Sequence, residues 1–248
     1  MNGETSSWRG TFMLMLAFTV IWQIVFIMVG QIALRSPIET FRFAFELLQK
    51  PSFWPHLIET GKAFAAALFF AVILGLIIGM TLGLKRTAGD VFEPMLVALY
   101  SIPKVTLYPI LLITFGLGIS AKIAFGALHG FIPISLFTIN AVRNLRPIYL
   151  KTGRVLRLSR TAMICRIVFP AAMPEIFSGL RIGFSLTMIG TVLGEMFASQ
   201  KGLGYLLMNA IGLHNVDIIL AITLMLVLFA AGMSSWLLII DRRLHRRV

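Results

Sequence analysis

RNLRPIYLKTGRVLRLSRTAMICRIVFPAAMPEIFSGLR, running from Arg143 to Arg181, is a basic stretch set between two segments almost free of charge. In a chain that otherwise reads as soluble in hydrocarbon, such a stretch is where a water-soluble partner can push. Pro147 ends the helix before it, and Ile148 to Ile167 is again compatible with a helix. Lys151, Arg154 and Arg157 fall one turn apart on one stripe, with Thr152, Val155, Leu158 and Ala162 on a neighbouring, less polar one. The pattern predicts a short amphipathic helix over about 148–167, lying parallel to the membrane in the cytoplasm. Pro170 and Pro174 are expected to stop it and launch the next span.

The surroundings justify reading the rest as membrane. The chain is 58% hydrophobic and only 13% charged, with a mean hydropathy of +0.91. Uncharged runs cover 11–34, 63–84, 123–142 and 218–240, each close to or above the roughly 20 residues that cross a bilayer core. Two further stretches carry interruptions: 94–118 holds Lys104, Pro103 and Pro109, and 176–199 holds Arg181 and Glu195. Ionisable groups and backbone breaks survive in a span where they face protein or a watery cavity, so these two are the expected pathway walls. The expected fold is therefore all-α, a single polytopic membrane domain over 1–248 with six transmembrane helices at about 11–34, 63–84, 94–118, 122–142, 176–199 and 217–240.

With six alternating spans, one side receives fourteen Lys and Arg residues, among them Arg9, Lys85, Arg86, the cluster from Arg143 to Arg166, and Arg242, Arg243, Arg246 and Arg247. The opposite side receives six: Arg35, Arg42, Lys50, Lys62, Lys122 and Lys201. The excess places both termini in the cytoplasm, which in a bacterium means a multi-pass inner-membrane protein. The net charge of +12 is accounted for by this flanking of spans, and no basic groove with interleaved aromatics argues for nucleic acid. Attraction of the basic stripe to anionic lipid is a further consequence.

Between the spans, Arg35, Glu39, Arg42, Glu46 and Lys50 recur every three or four residues, predicting a helix along the outer surface with Phe41, Phe45 and Leu48 on another face. Gly75, Gly79 and Gly83 form one ridge, and Gly179, Gly183, Gly190, Gly194 and Ala198 another, which predicts close helix contacts within the subunit or across a dimer. KGLGYLLMNAIGLHNVD, 201–217, reads as a re-entrant or surface helix. No phosphate-binding P-loop, HExxH, GxSxG or paired-cysteine set occurs, and the single Cys165 and four scattered histidines suggest neither an enzyme nor a metal site.

The basic segment resembles the cytoplasmic loop of the permease subunits of ATP-binding-cassette importers. Aligning Phe169-Pro170 with the Leu-Pro of that family's loop signature puts Lys151, Thr152 and Gly153 on its Glu-Ala-Ala and Arg157 on its turn glycine. WPHLIETGKAF, LGLIIGMTLGLKR, SIPKVTLYPILLITFGLG and GEMFASQKGLGYLL extend the likeness, in order, to the nitrate, sulfonate, taurine and bicarbonate branch. The resemblance implies the type I importer permease fold (MetI-like) and a non-catalytic role in moving a small anionic solute. It implies as partners a second permease copy, two cytoplasmic ATPases that carry ATP and Mg, and an extracytoplasmic solute-binding protein, with no cofactor on this chain. It also implies a coupling helix whose ATPase contacts are Lys151, Thr152, Gly153, Arg154, Arg157, Leu158, Ser159 and Arg160. An ATP-independent channel or secondary carrier is the alternative, and it would need intramembrane ion-coupling groups that are scarce in this chain.

For the translocation path the polar residues of the third to fifth spans are expected: Tyr100, Ser101, Lys104, Tyr108, Asn140, Ser185, Thr187, Thr191 and Glu195. Each competes with a structural role as interhelical glue. Lys104 either attracts an anion or snorkels, and Glu195 serves as a gate or packing contact rather than as a ligand.

Overall fold

The computed structural model describes residues 4–30, 33–197 and 199–245. Gln31 and Ile32 of the first expected span, Ala198 of the second glycine ridge, and Arg246 and Arg247 of the basic tail lie outside the described residues. Everything regular among the described residues is helical. In order come α1 (Glu4–Val29), α2 (Pro37–Gln49), α3 (Trp54–Leu84), α4 (Arg86–Ser101), a 3-10 turn (Lys104–Leu107), α5 (Tyr108–Phe115), α6 (Ile119–Arg143), α7 (Pro147–Val155), α8 (Arg160–Met163), a π turn (Ile164–Val168), α9 (Phe169–Phe197), α10 (Leu203–Gly212) and α11 (Val216–His245).

α3, α6 and α9 are the centre, and glycine brings them together. Along α3, the positions where Gly75, Gly79 and Gly83 would carry a Cβ are filled by Ile134, Thr138 and Val142 of α6, so the two helices run parallel. α9 runs the other way: Gly183 receives Ile134 and Gly179 receives Phe137, while Gly130 and Gly126 of α6 receive Thr187 and Thr191 of α9. Lipid supplies no hydrophobic drive between helices, so contact area gained by removing side chains is what holds them. The predicted ridges thus lie at contacts within the subunit.

α2 begins at a capping box in which Ser36 and Glu39 satisfy each other's backbone N–H groups. The hydrogen bonds from the Ser36 hydroxyl and backbone hold the Glu39 carboxyl below its usual range. α2 buries Pro37, Thr40, Ala44 and Leu47 and packs with Phe53, Leu203, Ala221 and Ile222, leaving Phe41, Phe45 and Leu48 exposed. Arg35 pairs with Asp217 at 2.6 Å, and the Trp22 indole donates to the Arg35 carbonyl at 3.0 Å, tying α1 to the same corner.

Four described helices are long and apolar enough to cross a bilayer, namely Trp54–Leu84, Ile119–Arg143, Arg160–Phe197 and Val216–Leu244. Two expectations need correction. The span expected over 94–118 is not straight: Arg86–Ser101 and Lys104–Phe115 meet at 94°. Pro103 has no N–H to donate and holds Ile102 extended at ψ 136. Side chains add local hydrogen bonds around the bend, with Ser101 Oγ donating to Val97 O at 3.0 Å, Lys104 Nζ to Tyr100 O at 2.9 Å and Thr106 Oγ1 to Pro103 O at 2.8 Å.

The helix expected over 148–167 is likewise broken. α7 ends at Val155, and Arg157 takes a positive φ of 49° that turns the chain. Pro170 and Pro174 stop nothing: helix runs through them from Arg160 to Phe197. The π turn is the reason. Pro170 cannot donate, and the widened turn at Ile164–Val168 lets the Phe169 N–H reach the Ile164 carbonyl instead.

Candidate functional site

The turn between α7 and α8 is built from a few local interactions. Pro147 opens α7 at a position where its missing donor costs nothing. Gly153 is buried, and a Cβ there would collide with Met163 and lie 3.0 Å from Ile167 Cδ1, so α7 folds flat against the π turn. The Leu158 N–H donates to the Gly153 carbonyl at 3.1 Å, closing the bend, and the Ser159 hydroxyl caps α8 by accepting from the Ala162 N–H at 3.3 Å.

The bend presents an apolar tip in a basic collar. Val155 is 81% and Leu156 62% exposed, and Lys151, Thr152, Arg154, Arg157, Ser159 and Arg160 are exposed around them. Leu158 is half-buried and Gly153 wholly buried. Of the eight residues expected at an ATPase contact, six therefore face outward, and the apolar centre of the patch is Val155-Leu156, of which periodicity picked out Val155 alone. The signal was available in two consecutive apolar residues just before the family's turn position.

The expected path residues do not form one site. Tyr100, Ser101 and Lys104 cluster at the bend between α4 and the 3-10 turn, with Lys104 Nζ 4.8 Å from the Tyr100 ring centroid. Among the described residues no ion pair to a carboxylate is formed by Lys104. Asn140 is exposed on α6, and the half-buried Ser185 donates to the Arg181 carbonyl at 3.4 Å. Thr187 and Thr191 are fully buried in the α6 contact, filling the hollows at Gly130 and Gly126. Tyr108 is buried too, its hydroxyl donating to the Gly194 carbonyl and pinning α5 to α9.

Glu195 caps α10. Its carboxylate accepts from Thr60 Oγ1 at 2.8 Å and from the Gly204 N–H at 3.0 Å, while Thr60 Oγ1 accepts from the Leu203 N–H at 2.8 Å. Carboxyl oxygens at a helix N-terminus satisfy donors that the helix leaves free. Nearby, Lys122 is 2% exposed and bonds to Glu59 at 3.2 Å and to the Lys201 carbonyl at 2.9 Å. It forms one wall of an open cleft of about 430 Å³ with Glu59, Gly118, Ser199 and Lys201.

Sequence reasoning passed over a third arrangement. Arg143, counted only as a charge, ends α6 and makes ion pairs to Asp90 at 2.8 Å and Glu93 at 2.7 Å. Among the described residues no group of three or more His, Cys, Asp or Glu is placed to hold a metal ion.

The profile of the family described as binding-protein-dependent transport system inner membrane component matches residues 71–248. The chain is 28% identical over 191 residues to the taurine transport system permease protein TauC of Escherichia coli, covering 77% of this chain and 70% of that one. It is 30% identical over 243 residues to the bicarbonate transport system permease protein CmpB of Synechococcus elongatus, covering 90% and 87%. Among solved structures, the fold is similar to a chain of the inward-facing MetNI methionine ABC transporter, with TM-score 0.69 and 17% identity over 79% of this chain and 98% of that one.

Proposed function

The chain belongs to the binding-protein-dependent transport system inner membrane components, permease subunits of ATP-binding-cassette importers that are not themselves enzymes, and from that premise we propose how it works. Two copies assemble around a central path and move a small solute bearing an oxyanion, delivered by an extracytoplasmic binding protein. Each copy contributes six spans: the four long helices, the bent pair α4 and α5, and α1. Both termini lie in the cytoplasm. ATP and Mg are bound by two partner ATPases, each receiving one α7 tip.

The observation that carries this reading is the tip itself. A solvated apolar pair, Val155 and Leu156, stands in a collar of Lys151, Arg154, Arg157 and Arg160 and leads through Ser159 straight into the helix that spans as α9. An exposed apolar pair with a charged rim suits a protein pocket better than lipid or water. The oxyanion class is supported by the relatives named for taurine and bicarbonate and by Lys104 at the bend, whose ammonium rests on a carbonyl and a ring. Tyr100, Ser101 and Asn140, exposed on this copy, would face the second one in this reading.

The test is assembly. Co-expression with candidate partner ATPase and binding protein gives a complex of two permeases and two ATPases, and Leu156→Asp weakens ATPase capture at least tenfold, because a charge is driven into a desolvated pocket. Assembly unaffected by Leu156→Asp, or solute uptake by the purified chain alone, overturns the reading.

A further inference from the structure

Within the subunit α4 is loosely held: among its described residues it buries Gly89 alone. What covers Gly89 is Arg143. A Cβ there would strike the guanidinium and lie 2.5 Å from the Leu82 carbonyl, so only glycine admits this approach. Around that contact the guanidinium spreads over the first turns of α4. Nη1 donates to Glu93 Oε2 at 2.7 Å, and Nη2 donates to Asp90 Oδ1 at 2.8 Å and to the Arg86 carbonyl at 3.2 Å. Asp90 and Glu93, three residues apart, share one helix face, and a planar fork gripping two carboxylates fixes orientation as well as distance.

The position of Arg143 in the chain gives the grip a purpose. It is the last residue of α6, and only Asn144, Leu145 and Arg146 separate it from Pro147, the first residue of α7. That link is no loose tether, since Leu145 packs on Ala141, Val142 and Val168 and the Asn144 N–H donates to the Asn140 carbonyl at 2.9 Å. At its far end, about 10–17 Å along the helix from Asp90 and Glu93, α4 carries Tyr100 and Ser101 into the bend beside Lys104.

We propose that the Arg143–Asp90–Glu93 clamp is the positioning element that makes α4, and with it the Tyr100–Lys104 bend, follow α7 when the ATPases move. This rests on the importer reading above. Arg143 acts through α4 and is not itself assigned to solute.

The test follows α4 directly and needs no knowledge of the solute. In the complex of permease, ATPase and binding protein, exposed Cys165 is changed to Ser and exposed Ile102 to Cys. A spin label is placed on each copy, and the label-to-label distance is read by pulsed electron resonance without nucleotide and with ATP and vanadate. With Arg143 intact the distance distribution shifts between the two states. Arg143→Gln, and independently Asp90→Asn with Glu93→Gln, cut that shift by half or more in complexes matched for bound ATPase. Arg143→Glu combined with Glu93→Arg restores a larger part of it than either change alone, which a merely structural loss would not do. A full shift in Arg143→Gln or in the double carboxamide variant overturns the clamp alone. Absence of any shift with Arg143 intact, or of the complex itself, overturns the importer reading and the clamp with it.

Discussion

Gly75→Ala tests the claim that close approach of α3 and α6 holds the fold. An alanine Cβ at Gly75 would lie 2.6 Å from both Cβ and Cγ2 of Ile134 and 3.1 Å from the Phe131 carbonyl oxygen. Ordinary carbon contacts sit near ~3.5–4.0 Å, so the helices must part by about 1 Å, and the same movement loosens the contacts at Gly79 and Gly83. Overpacking of this kind costs about 1–3 kcal/mol, and alanine's better helix propensity returns about 1 kcal/mol. The net loss is about 0–2 kcal/mol, or up to roughly 8 °C in Tm for a chain of this size, and up to about 3 kcal/mol relative to an alanine that meets nothing. Gly61→Ala is the control on the same helix, because nothing lies within 4 Å of its added Cβ, and it should hold or raise Tm. The assay is thermal unfolding in detergent, followed as the monodisperse fraction on size exclusion. Trimming Ile134 to Ala should not rescue Gly75→Ala, since the nearest offending atom is the Cβ that alanine keeps. Equal Tm for Gly75→Ala and Gly61→Ala would refute the reasoning.

Arg157→Gly should stabilise the chain, because a non-glycine residue at φ 49° carries about 1–2 kcal/mol of left-handed strain; a Tm at or below that of the unmodified chain would count against this. Glu195→Ala should cost about 2–4 kcal/mol by stranding Thr60 Oγ1 and the Gly204 N–H in the interior, visible as a Tm loss well beyond that of Glu195→Gln, which keeps an acceptor oxygen. Equal losses for the two would place the role of Glu195 in its charge instead of its hydrogen bonds.

The glycine ridges were legible because a spacing of four is already a stripe on a helix, but their partners were not. Ile134, Thr138 and Val142 look like any apolar span until α6 is laid beside α3. Thr187 and Thr191 show the same limit from the other side. A hydroxyl in a span reads alike in sequence whether it faces water or fills the hollow above a glycine, and here both fill hollows. The start of the amphipathic segment was legible from Pro147 and its charge stripe, yet its end was misplaced. Prolines are conspicuous as breakers, whereas the actual break falls at Arg157, a residue type that argues against a left-handed turn. Pro103 was visible as an interruption, but a proline does not announce whether the helix kinks slightly or turns through 94°.

The arrangement of attachments constrains how the subunit can move. α7 is joined to the α3–α6–α9 block at both ends, through Arg143–Arg146 on one side and through α8 and the π turn into α9 on the other. The non-helical links are short, three residues at 144–146 and four at 156–159, which limits how far α7 can shift against the block. The bent span is pinned twice as well: α4 by the Arg143 fork near the α6–α7 turn, and α5 by Tyr108 on Gly194 towards the other end. On the coupling role proposed for the tip, a push at Val155-Leu156 reaches a block whose interdigitated glycine contacts leave little slack. Its natural outcome is rotation of the whole subunit, with the Tyr100–Lys104 bend carried along, rather than sliding of one helix past another.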